Sequence, residues 1–158
     1  MPVPAGDFSQ VLKKSPAGRV LVIDDEPLVR WSIAETLRAD GYDVVGVDNF
    51  NAYYDPRLKH ARIAELQAYS GFHFEKMDIA DRQAVADLFA AHRFPQVVNL
   101  AAQAGVRHSL THPEAYVTHN LVAFGHVVEG CRRAGVAHFV FASSSSVYGA
   151  SHALPFSE

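Results

Sequence analysis

Carboxylates gather where an apolar run ends. Residues 20–23 (VLVI) are followed by Asp24, Asp25, Glu26 and Pro27, and the next glycine is Gly41. Such a cluster at the mouth of a helix offers hard oxygen ligands, so Asp24 and Asp25, with Glu26 beside them, are candidates for weak Mg²⁺ binding. The simpler alternative is a set of solvated acids favoured by the helix dipole. Two more aspartates close later apolar runs, Asp48 after VVGV and Asp78 after FHFEKM. A carboxylate ending a second strand can hydrogen-bond a ribose, and either aspartate can equally serve a turn or a cap. His112, His119 and His126 recur every seventh residue. On a helix neighbours would stand about 10.5 Å apart, too far to share an ion at bonds of about 2 Å, so a solvated stripe is expected. Cys131 stands alone, as a small buried residue rather than a nucleophile.

The bulk properties narrow the function classes. A chain of 158 residues with 49% hydrophobic content suits one domain with a core. A net charge of −3 gives no electrostatic case for nucleic acid or an anionic membrane surface. One cysteine precludes an internal disulfide and points to the cytoplasm. No apolar run is long enough to span a bilayer. Residues 1–18 lack the apolar stretch of a secretory signal and are expected to form a flexible tail, with Phe8, Val11 and Leu12 in one docked turn.

From residue 19 to 158, strands and helices alternate, which argues for a single α/β domain with a parallel sheet covered on both faces. Strands are expected at 19–23, 43–47, 72–77, 96–101 and 138–142. The first helix covers 27–40, with Pro27 in its first turn, Gly41 past its end, and Leu28 or Val29, Ile33 and Leu37 facing inward. The second starts at Asp55-Pro56 and runs to about Tyr69, with Leu58, Ile63 and Leu66 inward. Asp81 caps the third, through His92, which turns Val85, Leu88 and Phe89 to the sheet. Thr111 or His112 caps a long fourth helix ending at Gly135. Tyr53 and Tyr54 are expected to pack around a loop.

Two resemblances follow from particular stretches. GVDNFNAYYDPRL, MDIAD, VVNLAAQAGVRHSL, AYVTHNLVAFGHVVEGC and FVFASSSSVYG…LPFSE keep the order found in extended short-chain dehydrogenases. From about residue 46 to 158 the chain resembles the N-terminal half of an NAD-dependent nucleotide-sugar epimerase of the UDP-glucuronate 4-epimerase type. Residues 19–45, VLVIDDEPLVRWSIAETLRADGYDVV within them, resemble the opening of a response-regulator receiver domain. The two meet around 44–46.

The epimerase resemblance implies a Rossmann-like doubly wound sheet of five strands in the order 3-2-1-4-5. It implies NAD as the ancestral cofactor, with Asp48 at the adenosine ribose, Asn49 among the cofactor-binding residues, Asp78 and Ile79 at the adenine edge, and Ala101, Ala102 and Gln103 beside the nicotinamide. Asn120 and Arg107 would lie near cofactor and sugar, and Ser144, with Ser145 next, matches the serine after strand five. The family's GxxGxxG turn falls on Asp24, Pro27 and Arg30, so every glycine is replaced. Those glycines let a backbone approach the pyrophosphate. A helix N-terminus favours an anion by about 0.3–1 kcal/mol, whereas one carboxylate about 4 Å from a phosphate opposes it by about 4 kcal/mol at an effective dielectric near 20. Repulsion wins, and NAD is expected to bind weakly or not at all. The family's Tyr-x-x-x-Lys is absent from these 158 residues; Tyr148 is followed four positions on by His152.

A receiver would also need a phosphorylatable aspartate on the strand beside strand one. In this order that strand ends Leu100-Ala101-Ala102, which offers none. The sum implies a catalytically inactive chimeric scaffold, such as an engineered fusion of related fragments would give, with no cofactor expected. The alternative is a truncated epimerase fragment retaining NAD or nucleotide binding, and a further one is a receiver-like signalling domain. Strand five is an expected open edge and hence a route to a homodimer.

Overall fold

The computed structural model describes residues 18–24, 27–53 and 55–149, and within the first helix the side chains of 32–37 and 39. The expected tail, Asp25, Glu26, Tyr54, residues 150–158 and the inward side chain expected at Leu28 or Val29 lie outside them. Five strands form one parallel sheet in the order β3-β2-β1-β4-β5. They are β1 (Arg19–Ile23), β2 (Asp43–Asp48), β3 (Phe72–Lys76), β4 (Gln96–Asn99) and β5 (His138–Phe141). The register sets Leu21 against Val45 on one side and Val97 on the other. Central strands buried on both faces need continuous apolar runs, which RVLVI and QVVN supply.

Alternation along the strands divides the core in two. Leu21, Ile23, Val45, Val47 and Val97 face α3 (Arg82–Ala91) and α6 (Ala123–Ala134), where Val85, Leu88 and Val127 meet them. Val20, Val22, Val44 and Val98 face Ala34 and Leu37 of α1 (Pro27–Ala39) and Ile63 and Leu66 of α2 (Pro56–Gln67). Each such side chain contributes about 1.5–3 kcal/mol on burial. Asp55 accepts the Arg57 N–H at the start of α2, and Asp81 accepts those of Gln83 and Ala84 at the start of α3. Gly135 closes α6 in the left-handed region at φ 67°, a conformation glycine adopts without strain.

Three expectations need correction. Leu58 is 55% exposed, and Lys59 is the buried residue instead. Lys59, Ile63 and Leu66 keep the i, i+4, i+7 spacing of one helix face, whereas Leu58 stands five before Ile63 and falls off it. The expected long fourth helix is not uniform. After a short α4 (Val106–Ser109), α5 (Pro113–Tyr116) passes into a π-helical stretch (Val117–Val122) before α6. His112 stands at the N-cap of α5 without a side-chain cap bond, and Thr111 bonds the His108 carbonyl instead. The histidine repeat is not a solvated stripe either: His119 and His126 are half-buried, and His126 Nδ1 lies 3.2 Å from the Ile79 carbonyl.

Candidate functional site

The carboxyl ends of β1, β2 and β4 meet over a small cleft. In an open α/β sheet this is where the strand order turns and ligands settle. Asp24 follows β1 directly and is 3% exposed, so it is not the solvated acid expected of a helix mouth. It forms part of the wall with Ile23, and Asp48 and Asn49 continue it from β2.

Asp48 is buried. Its Oδ1 accepts the Phe50 N–H at 2.6 Å and the Lys59 ammonium at 3.2 Å. Asn49 joins the second and third strands, its Nδ2 donating to Asp78 Oδ2 at 3.1 Å, while Asp78 Oδ1 accepts the Ala80 N–H. Asn49 Oδ1 in turn accepts the Asn51 N–H, and Asn51 Oδ1 that of Tyr53. Side-chain bonds two residues ahead are the turn duty foreseen for these residue types. Asn49 and Asp78 line the cleft, as does Asp48, whose side chain is fully buried.

The far wall is the loop after β4. Leu100 and Ala101 both donate to the Ile23 carbonyl, which bends the chain away from β1. Ala101, Ala102 and Gln103 then line the cleft, with Ile79 and Met77 across from them. Asn120, expected near the cofactor, is placed one step back. Its Oδ1 accepts the Gln103 N–H at 2.7 Å and its Nδ2 donates to the Gln103 carbonyl at 3.0 Å. The π-helical stretch carries Asn120, and π turns inside α-helices are frequent at functional sites. Tyr53 reaches across from the β2 loop to donate to the Ala104 carbonyl at 2.9 Å, and Tyr116 donates to the same carbonyl at 2.6 Å. Burial, then the neighbouring Tyr53, raises the Tyr116 hydroxyl above the usual phenol range.

The remaining candidates lie apart. Arg107 is exposed on α4 and does not line the cleft. Ser144 is exposed after β5 and its Oγ caps the Ser146 N–H, with Ser145 opening the 3-10 turn Ser145–Tyr148. Among the described residues no group of His, Cys, Asp and Glu could hold a metal ion, and Asp25 lies outside them. β4 does lie beside β1, and its end, Asn99 to Ala102, offers no carboxylate for phosphorylation. Lys59, Asn51, Met77 and His119 were not foreseen as site residues. Lys59 interrupts its apolar stripe, and Met77 and His119 carry no local signal.

Comparison with known proteins supplies the deciding observation: the family model described as GDP-mannose 4,6 dehydratase matches residues 32–158. The chain belongs to that family. It is 44% identical over 140 residues to UDP-glucuronate 4-epimerase 1 of Arabidopsis thaliana, a match covering 88% of this chain and 32% of that protein. It is 43% identical over 139 residues to an uncharacterized 37.6 kDa protein of Escherichia coli O111:H-, covering 88% and 41%. UDP-glucuronic acid 4-epimerase from Bacillus cereus, solved with UDP-glucuronic acid and NAD, superposes with a TM-score of 0.72 at 29% identity, over 85% of this chain and 43% of that one.

The chain thus spans about a third to two fifths of the length of these curated relatives. The alignments are longer than the segment from 46 to 158, so they take in part of the stretch that resembles a receiver domain. The epimerase-like segment is supported, and the receiver-like and chimeric readings of 19–45 gain nothing from these matches. No helix among the described residues is long and apolar enough to cross a membrane.

Proposed function

We propose that this chain is the cofactor-side half of an NAD-dependent nucleotide-sugar epimerase, and that its cleft takes the adenosine end of the dinucleotide. The observation that carries this is the convergence of Asp48, Asn49, Asp78, Ile79 and Ala101 to Gln103 on one cleft at the strand ends. Asn49, beside the buried Asp48, faces the ribose, Asp78 and Ile79 the adenine, and the loop after β4 the nicotinamide. When bound, NAD supplies a hydride acceptor.

The donor set fits the adenosine half and fails at the diphosphate. Asp24 is a carboxylate in the wall where a diphosphate needs bare peptide N–H groups. At about 4 Å it opposes a phosphate by about 4 kcal/mol at an effective dielectric near 20, more than a helix dipole returns. The cleft therefore gains little from the dinucleotide beyond its nucleoside. Calorimetric titration of the chain with adenosine and with NAD tests this. Both bind, and NAD binds no tighter than adenosine. Failure of both to bind, or NAD binding in the micromolar range, overturns it.

A further inference from the structure

The two walls of the cleft are tied to each other. Asn51 lines it from the loop after β2 and Gln103 from the loop after β4. Two residues past Asn51, the Tyr53 hydroxyl donates at 2.9 Å to the carbonyl of Ala104, the residue after Gln103. β1 lies between β2 and β4 in the sheet, so this bond spans the end of β1. A molecule filling the space between the two walls is enclosed on that side for as long as the bond holds.

The two sides of the bond are not equally fixed. On the β4 side, Asn120 holds both the N–H and the carbonyl of Gln103, and the Tyr116 hydroxyl is shared between the Ala104 and Gly105 carbonyls. Gly105 opens α4 at φ 98°, and a Cβ there would lie 2.5 Å from the Tyr53 hydroxyl, so the tyrosine reaches its acceptor only past a glycine. On the β2 side, Tyr53 is 40% exposed, its N–H reaches Asn51 Oδ1 at 3.3 Å, and its ring leans on His108 of α4 with centroids 5.3 Å apart. The Ala104 carbonyl keeps donors when Tyr53 leaves, because Tyr116 and, at 3.3 Å, Gln103 Nε2 also reach it. Release therefore exchanges one exposed hydrogen bond for water, and the bonded form is favoured by about three- to tenfold.

We infer that Tyr53 is the bolt of a latch across the cleft: ligand enters and leaves while its hydroxyl is off the Ala104 carbonyl, and the bond closes over whatever is inside. The identity of that ligand rests on the adenosine reading of the cleft given above; the latch itself rests on the two loops. Passage through such a gate scales with its open fraction in both directions. Removing the bond speeds entry and exit alike and leaves the affinity where it was. Loss of a merely structural tether would instead loosen the wall and weaken the affinity through faster exit alone.

Adenosine titrated into the ¹⁵N-labelled wild-type chain and into Tyr53→Phe, with NMR line-shape analysis, reads both rates and the affinity from one series. Tyr53→Phe keeps the ring on His108 and loses only the hydroxyl. It should raise the association and dissociation rates together by about three- to tenfold and hold Kd within about twofold. A weaker Kd at an unchanged association rate, or no change in either rate, overturns the latch. Relaxation dispersion on the ligand-free wild type tests it without a ligand. The Ala104 and Gly105 amides should exchange with a minor state whose shifts match those of Tyr53→Phe; no such exchange, or a minor state with other shifts, overturns the latch as well. A wild type that shows this exchange but binds no adenosine supports the latch and overturns the adenosine reading.

Discussion

Asp24 and Cys131 show how burial decides what a single side chain can do. Asp24 was legible as an acid at a strand end, but its burial was not, because the alternation of β1 ends one residue earlier. Buried in the cleft wall, its carboxylate sits in low-dielectric surroundings, where charge counts for more than in water. Cys131 is buried against Val127 and the sheet, and desolvation pushes its thiol up to about 11. It is therefore protonated at neutral pH and inert, since only the thiolate attacks. Iodoacetamide at pH 8 should leave the folded chain unlabelled and modify Cys131 only after denaturant is added; labelling of the folded chain at the rate of a free cysteine would contradict this. The aspartates at 48 and 78 were legible from the ends of apolar runs. Lys59 was not legible, because an inward helix face is read from apolar side chains and a lysine interrupts that stripe.

At the scale of elements, the π-helical stretch and the contact between α3 and α6 carry the consequences. Asn120 makes two hydrogen bonds to the backbone of Gln103, so Asn120→Ala removes both and leaves half-buried partners unpaired, at a cost of about 1 kcal/mol. Amide exchange at Gln103 should accelerate more than exchange in β1; a uniform change, or none, would count against the loop being held this way. The sequence suggested one long helix here. A π turn shifts the apolar stripe by about one residue without interrupting the helical run, so helix-forming residues on both sides still read as one element.

Gly130 faces Phe89 so closely that an added Cβ would lie 2.6 Å from its ring. Alanine gains about 1 kcal/mol of helix propensity over glycine. Overpacking of about 1–3 kcal/mol outweighs it, so Gly130→Ala should lower the urea midpoint, and a raised midpoint would contradict the close packing.

For the molecule as a whole, the alternation of strands and helices made the fold class legible, and the observed order β3-β2-β1-β4-β5 is the one the epimerase motifs implied. Strand ends were placed within one or two residues, because parallel central strands are continuous apolar runs that stop sharply. The division at 44–46 is not shown by the matches, which extend upstream of residue 46. β5 pairs with β4 only among the described residues, and an unpaired edge invites another strand. We expect the 158-residue chain to self-associate with rising concentration in sedimentation velocity, and a monomer at all concentrations would refute it. The most direct test of the cleft is Asp24→Gly titrated with NAD and with adenosine. Removing this carboxylate should tighten NAD by about tenfold or more while leaving adenosine unchanged; equal effects on both ligands, or none on NAD, would contradict the account.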